Sequence, residues 1–151
     1  MDSLEHKWEY QGRTITFTWV GDIDVPLSRV YAIAFTADGK LLLVGDFQGD
    51  FDYWLPGGGM ENGETPEEAL RRELMEEAAA TIHTFERIGV QRVHDPNYGS
   101  EHHGFYWCGI SLDPEFEPKT EVTERILVVP DEFLDRLSWG RADPKAARLL
   151  E

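Results

Sequence analysis

Three glutamates, Glu73, Glu76 and Glu77, follow directly on Arg72 in the run Arg72-Glu73-Leu74-Met75-Glu76-Glu77. Carboxylates gathered this closely are hard oxygen donors, the kind that hold Mg2+ and similar divalent cations. Upstream stands Gly57-Gly58-Gly59, a run whose backbone can take positive φ and approach a ligand closely. Glu64 lies between the glycines and Arg72 and adds a further carboxylate to the group. The chemistry open to this set is cation binding next to a flexible backbone cradle.

These side chains need a helix to carry them, and the sequence supplies its start. In Thr65-Pro66-Glu67-Glu68, Thr65 can cap, Pro66 suits the first helical position and Glu68 completes a capping box. Leu70, Leu74 and Ala78 recur every fourth residue and form a narrow stripe for burial. At about 100° per residue, Glu73, Glu76 and Glu77 fall within an arc of roughly 100° beside that stripe. Like-charged neighbours at this spacing cost about 0.2–0.5 kcal/mol per pair. Glu76 and Glu77 also sit near the C-terminal end of the helix, where its dipole disfavours anions. A helix chosen for stability alone would carry Lys or Arg there. A bound divalent cation reverses the sign of the penalty.

The order Gly58, five residues, Glu64, seven residues, Arg72-Glu73-Leu74-Met75-Glu76-Glu77 resembles the Nudix box, G-x5-E-x7-R-E-U-x-E-E-x-G-U, with U a bulky aliphatic residue. The resemblance runs from roughly Ser28 to Leu137, with the box itself at residues 58–80. It implies hydrolysis of a nucleoside diphosphate linked to another moiety, with Mg2+ or Mn2+ as cofactor. It implies Glu73 and Glu77 as first-choice metal ligands, Glu76 as the third, and a carbonyl of Gly57 or Gly58 in the metal shell. Arg72 would orient a neighbouring carboxylate or meet substrate. Glu64 would serve in the metal shell or as base. Glu121 resembles a family glutamate that precedes the last strand and reaches the metals. The usual Trp about six residues on is replaced by Leu127 or Val128, so Glu121 and Glu124 both stay open. The implied mechanism is an in-line attack of water at phosphorus, with a carboxylate taking the proton. One position departs from the pattern. Ala79 and Ala80 replace the usual Gly and aliphatic residue, and Ala79 suggests a helix that runs a turn further, toward Thr81-Ile82.

The chain has 151 residues, enough for one domain with a real core. No apolar run approaches 18 residues and no secretory signal opens the chain, so neither a membrane span nor export is expected. The single Cys108 excludes an internal disulfide and fits a reducing cytoplasm. A net charge of −15 disfavours nonspecific binding to nucleic acid. Cations bridging carboxylate to phosphate, helped by one or two local Arg or Lys residues, would let this acidic chain take an anionic substrate. A homodimer remains open.

Segments Trp8-Tyr10 and Thr14-Val20 read as a hairpin turning at Gln11-Gly12. Together with the rest of residues 1–27 this is an extension before the expected domain start. Strands follow at Val30–Phe35, Leu41–Val44, Glu86–His94, His102–Ile110 and Ile126–Val129. Helices are expected at Pro130–Leu137 and Pro144–Leu150, opening near Asp131 and Asp143. The fold class is α/β (α+β), and the resemblance implies an α/β/α sandwich with a mixed sheet.

Aromatic residues make up 12% of the chain, and Trp54 and Phe105 lie close to the expected site in sequence. Either offers a face for a base to stack on, although alternating aromatics also fill sheet faces. Pro96, sixteen residues after the box, resembles ADP-ribose hydrolases of the family. Tyr98, eighteen after, resembles dinucleoside polyphosphate hydrolases. Asp95-Pro96-Asn97-Tyr98-Gly99 is equally a simple turn. The expected substrate is a small nucleotide or nucleotide-sugar. The alternative is a noncatalytic nucleotide-binding or regulatory domain, against which the complete set of box carboxylates speaks.

Overall fold

The computed structural model describes residues 5–45, 53–118, 122 and 124–137. The expected helix at Pro144–Leu150 lies outside them, as does Glu121. Strands β1 (Glu5–Tyr10) and β2 (Arg13–Gly21) form the expected hairpin. Its turn residues Gln11 and Gly12 both take positive φ, at 48° and 78°. That is the two-residue turn whose twist matches its flanking strands.

After the hairpin come β3 (Arg29–Phe35), β4 (Leu41–Gly45), β5 (Tyr53–Trp54) and β6 (Gly57–Gly59). Helix α1 (Pro66–Ala78) follows, then the long strands β7 (Ala80–Asp95) and β8 (Gly99–Leu112). Strand β9 (Glu124–Val128) leads into α2 (Pro130–Arg136). The sheet order is β1-β2-β7-β8-β3-β4-β5, with β6 on β3 and β9 on β4. Strands β3 and β8 run parallel, while their neighbours pair antiparallel, so the sheet is mixed as expected.

Alternation along β3 divides the interior into two layers. Val30, Ala32 and Ala34 face α1, where Leu70, Leu74 and Ala78 are wholly buried against them and against Leu42, Val44 and Ile82. Ile33 faces the other way, joining Leu43, Phe105 and Val128 under Phe133 of α2. The apolar stripe read from the helix sequence is thus the stripe that packs. Among the described residues no helix is long and apolar enough to cross a membrane.

Three sequence expectations are corrected. The glycine run, expected as a flexible cradle, is a paired strand, since Gly57, Gly58 and Gly59 pair with Tyr31, Val30 and Arg29. Helix α1 does not run on toward Ile82 but ends at Ala78, because Ala79 takes the left-handed conformation (φ 51°, ψ 43°). The Ala79 N–H reaches the carbonyls of Leu74 and Met75, and its own carbonyl accepts from the Asp113 N–H at 2.9 Å. These bonds hold a conformation that costs a residue with a Cβ about 1–2 kcal/mol. Strand β7 therefore starts at Ala80, six residues before the expected Glu86. Register shifts between Ile82 and Thr84 and between Arg87 and Gly89 break its alternation, which is the signal a sequence reading depends on.

Candidate functional site

The site is built where β6 passes the C-terminal half of α1. The N-terminus of α1 is tied as its sequence dictates. Thr65 Oγ1 accepts from the Glu68 N–H at 3.2 Å and Glu68 Oε1 accepts from the Thr65 N–H at 3.1 Å. With the helix phase set, Glu73 and Glu77 turn toward the glycine strand. A Cβ on Gly58 would stand 3.0–3.2 Å from the Glu73 carboxyl atoms, so glycine leaves the room that carboxylate occupies. Gly57 is more constrained. Its φ is +142° and a Cβ there would lie 2.1 Å from the Val30 carbonyl oxygen. Strand β6 can approach β3 this closely only without a side chain at 57. The approach points the Gly57 N–H at Glu77 Oε1, 2.9 Å away.

Glu77 is only 6% exposed, an uncommon place for a carboxylate. Glu73 lies within hydrogen-bonding reach of it. Burial lifts the Glu73 carboxyl above its ordinary range against the pull of Arg72, and the Glu76 charge adds to the lift. An enclosed Glu77 beside a half-buried Glu73 favours one shared proton or a bound cation over two bare charges.

Arg72 is the organiser of the remaining carboxylates. Its Nε and Nη2 donate to the two Glu64 oxygens at 2.8 and 2.9 Å. Its Nη1 donates to Glu73 at 3.0 Å and Nη2 to the Gly59 carbonyl at 3.1 Å. Glu76 stands 3.5 Å from the same guanidinium at the exposed rim. This bidentate fork is the strong form of carboxylate pairing. Together with the Glu61 N–H it holds the Glu64 carboxyl down at about 2. A carboxylate that acidic has little drive to take a proton at neutral pH. Its geometry makes Glu64 a strut between the loop and Arg72.

The structure therefore brings Gly57, Gly58, Glu73 and Glu77 together, with Arg72, Glu64 and Glu76 behind and beside them. Among the described residues no three acidic or imidazole side chains already form a metal cage. The donors present are all oxygens, and the Glu73–Glu77 pair is the group a hard cation would relieve. Glu124 does not belong here. It accepts from the Tyr53 hydroxyl at 2.7 Å, while its neighbour Arg125 turns to α1 and donates to the Ala78 carbonyl at 2.6 Å. The cation missing from the C-terminal turn of α1 is thus supplied from β9. Period-two alternation puts Glu124 on the sheet face away from α1.

The aromatic candidates scatter. Trp54 is half-buried against the α1-side core. Phe105 is corrected to a core residue: it is 1% exposed, packed against Trp19 and Tyr31, with no ring face left for a base. Tyr98, 83% exposed, lies at the β7–β8 tip beside an open cavity of about 410 Å3 that it shares with Trp8, Tyr10 and Arg13 of the hairpin. A sequence reading missed Arg29 and Tyr31 at the start of β3. They lie far from the box in sequence, and only the pairing of β6 with β3 places them next to it.

A family model for the NUDIX domain matches residues 25–149. The chain belongs to the Nudix family and is a Nudix-type hydrolase. Members of this family generally require a divalent cation. No curated protein sequence matches the chain closely enough to count as a relative. Among solved structures, the Bacillus subtilis pyrophosphohydrolase BsRppH is similar at 22% identity and TM-score 0.72, over 96% of this chain and 93% of that one. The NUDIX domain of Shewanella oneidensis NrtR, solved with ADP ribose, is similar at 21% identity and TM-score 0.62, over 85% and 86%. A nudix hydrolase family member from Chromobacterium violaceum shares 29% identity at TM-score 0.53, over 83% and 80%.

Proposed function

We propose that this chain cleaves the diphosphate of a small nucleotide or nucleotide-sugar, with Mg2+ or Mn2+ as cofactor. The observation that carries the reading is the enclosed Glu77 and half-buried Glu73 side by side against the Gly57–Gly58 strand. Two carboxylates side by side repel one another, and a bound cation would offset that repulsion. Glu73 and Glu77 would hold the cation, with Glu76 and a carbonyl of Gly57 or Gly58 as the further oxygen donors. When bound, the cation neutralises the diphosphate oxygens and lowers the pKa of a water. Arg72 keeps Glu73 aimed and ties the loop through Glu64. Glu121, outside the described residues, or Glu76 if it is not a ligand, would take the proton of the attacking water. In-line attack then releases a nucleoside monophosphate and the phosphorylated second moiety, or pyrophosphate from a triphosphate.

ADP-ribose is the first compound to test. Pro96 favours it, and the structurally similar NrtR domain was solved with that ligand. Residues 1–151 are read as one domain with residues 1–27 as its extension, acting in the cytoplasm without nucleic acid or membrane, as a monomer or a homodimer. The test is product analysis over a panel of nucleoside diphosphate derivatives and triphosphates with Mg2+ and with Mn2+. Cleavage within the diphosphate of at least one compound, lost in EDTA, is the expected result. Binding of ADP-ribose without turnover of any compound would replace the hydrolase with the noncatalytic nucleotide-binding reading.

A further inference from the structure

The sheet begins at an open edge. Strand β1 heads the strand order, and among the described residues no strand pairs with its outer side. Such an edge presents unpaired N–H and C=O groups and is a template for a further strand. The hairpin decides which groups those are. Its two-residue turn leaves the flanking residues, Tyr10 and Arg13, as a pair that exchanges both backbone bonds. The register continues without a bulge, so Trp8 and His6 bond inward to Ile15 and Phe17. The N–H and C=O groups of Glu5, Lys7 and Glu9 therefore point outward.

The same strand carries exposed aromatic surface. Trp8 is 50% and Tyr10 40% exposed, with their rings stacked at 5.0 Å. Both line the cavity of about 410 Å3 between the hairpin and the β7–β8 tip. Arg13 fixes that corner, donating to both Asp95 oxygens at 2.9 and 3.1 Å and lying 5.1 Å over the Tyr10 ring. Alternation puts the side chains of Glu5, Lys7 and Glu9 on the opposite face.

A second copy of β1 is a strand that matches this edge. Antiparallel pairing has to set outward-pointing residues opposite one another, which leaves two registers near the middle of the strand. With Lys7 opposite Lys7, Glu5 meets Glu9 twice, and every pair on the charged face is of like sign. With Trp8 opposite Trp8, Lys7 of each copy meets Glu9 of the other, while His6 meets Tyr10 on the aromatic face. Sliding further one way sets Glu9 against Glu9. Sliding the other way carries Trp8 past the end of β1. Opposite charges and aromatic pairs directly across from one another are the contacts that stabilise paired strands. Lys7 is available for exchange, since its present partner Glu5 lies 3.8 Å away and both side chains are exposed. The charges on this edge thus select one register instead of forbidding pairing.

We propose that two copies of this chain associate edge to edge through β1, antiparallel and centred on Trp8, joining their sheets into one. A net charge of −15 on each copy opposes the approach, so the association is weak and depends on these local pairs.

The test is sedimentation velocity of the full chain at physiological salt up to about 0.5 mM, a range in which a small interface shows itself. The expected result is a concentration-dependent monomer–dimer equilibrium. Lys7→Glu turns two attractive pairs into two repulsive ones and should raise the dissociation constant by about tenfold or more. Combining it with Glu9→Lys exchanges the two signs and should restore the constant to within about threefold of wild type. Trp8→Cys, at a pair whose Cα atoms stand about 4.5 Å apart, should give a covalent dimer under mild oxidation, whereas His6→Cys, opposite Tyr10, should not. Cys108 is buried and does not compete. A wild-type chain that stays monomeric throughout overturns the proposal. So does a dimer that ignores Lys7→Glu, that the double exchange does not restore, or that crosslinks through position 6 and not position 8.

Discussion

Replacing Glu77 by Gln separates the two roles the structure gives it. The amide oxygen of Gln can still accept the Gly57 N–H that now lies 2.9 Å from Glu77 Oε1, so the seam between β6 and α1 keeps its bond. What disappears is a charge buried to 6% exposure beside Glu73. In the absence of metal the variant should therefore stay within about 1 kcal/mol of wild type, since a neutral acceptor replaces a charged one while a like-charge contact is relieved. With metal the two should diverge. At a Mg2+ concentration about ten times its dissociation constant, a ligand bound only by the folded state adds about 1.4 kcal/mol. For a chain of 151 residues that is a rise of about 3–6 °C in melting temperature. Glu77→Gln should lose this rise. It should also lower kcat by at least about a hundredfold, equivalent to about 2.7 kcal/mol of transition-state stabilisation. Calorimetric scans with and without Mg2+, and turnover of the best substrate at saturation, read both quantities. Near-normal turnover together with a retained Mg2+ shift would refute the assignment of Glu77 to the metal. A metal-free variant that unfolds far below wild type would show that the carboxylate is needed for the seam itself.

Three further outcomes follow from the backbone and from one ion pair. Ala79→Gly should raise stability by about 0.5–1 kcal/mol, because relief at φ 51° exceeds the extra unfolded-state freedom of glycine; a lower melting temperature would contradict the left-handed cap. Gly57→Ala should cost about 3 kcal/mol or more in chemical denaturation, since its Cβ would lie 2.1 Å from the Val30 carbonyl oxygen; a fully stable variant would mean that β6 does not sit against β3. Burial raises the Asp95 carboxyl, but the Asn97 N–H and Arg13 outweigh it and the net shift is downward. Its contribution is therefore complete above the unfolded carboxylate value of about 3.9 and lost as pH falls through the lower folded value. The stability difference between wild type and Asp95→Asn, followed by thermal melts from neutral to acid pH, should shrink over that window; a constant difference would assign the effect to something other than the charge.

Local sequence rules located α1 closely and misjudged what lies on either side of it. Thr65, Pro66 and Glu68 act through neighbours a turn away, so their meaning is readable in one dimension, and the cap they form is present. The stripe of Leu70, Leu74 and Ala78 is readable for the same reason. Gly57-Gly58-Gly59 is different. Three glycines carry no alternation and no strand propensity, and they become a strand only because β3 offers unpaired backbone at Arg29–Tyr31. Ala79 shows the opposite failure. Alanine favours continuing a helix, but the bonds of its N–H and carbonyl, and Arg125 on the Ala78 carbonyl, end it there.

The same distinction orders the site. The like charges of Glu73, Glu76 and Glu77 were legible as a helical cost, because i, i+3 and i, i+4 neighbours must meet. Which of them are buried was not legible, because burial is set by how near β6 comes, and that distance depends on the absence of a side chain at Gly57. The structure divides the three unequally: Glu77 is sealed, Glu73 is shared between Glu77 and Arg72, and Glu76 remains at the rim with its side chain 45% exposed. Glu76 is open to solvent at the rim, whereas Glu77 is enclosed. This inequality fits the proposal of Glu73 and Glu77 as the inner ligands, with Glu76 reachable from the solvent side. Glu64 is tied to Arg72 by a two-point fork, while Glu76 meets the same guanidinium only at 3.5 Å, so of these two carboxylates Glu76 is the one less tightly held.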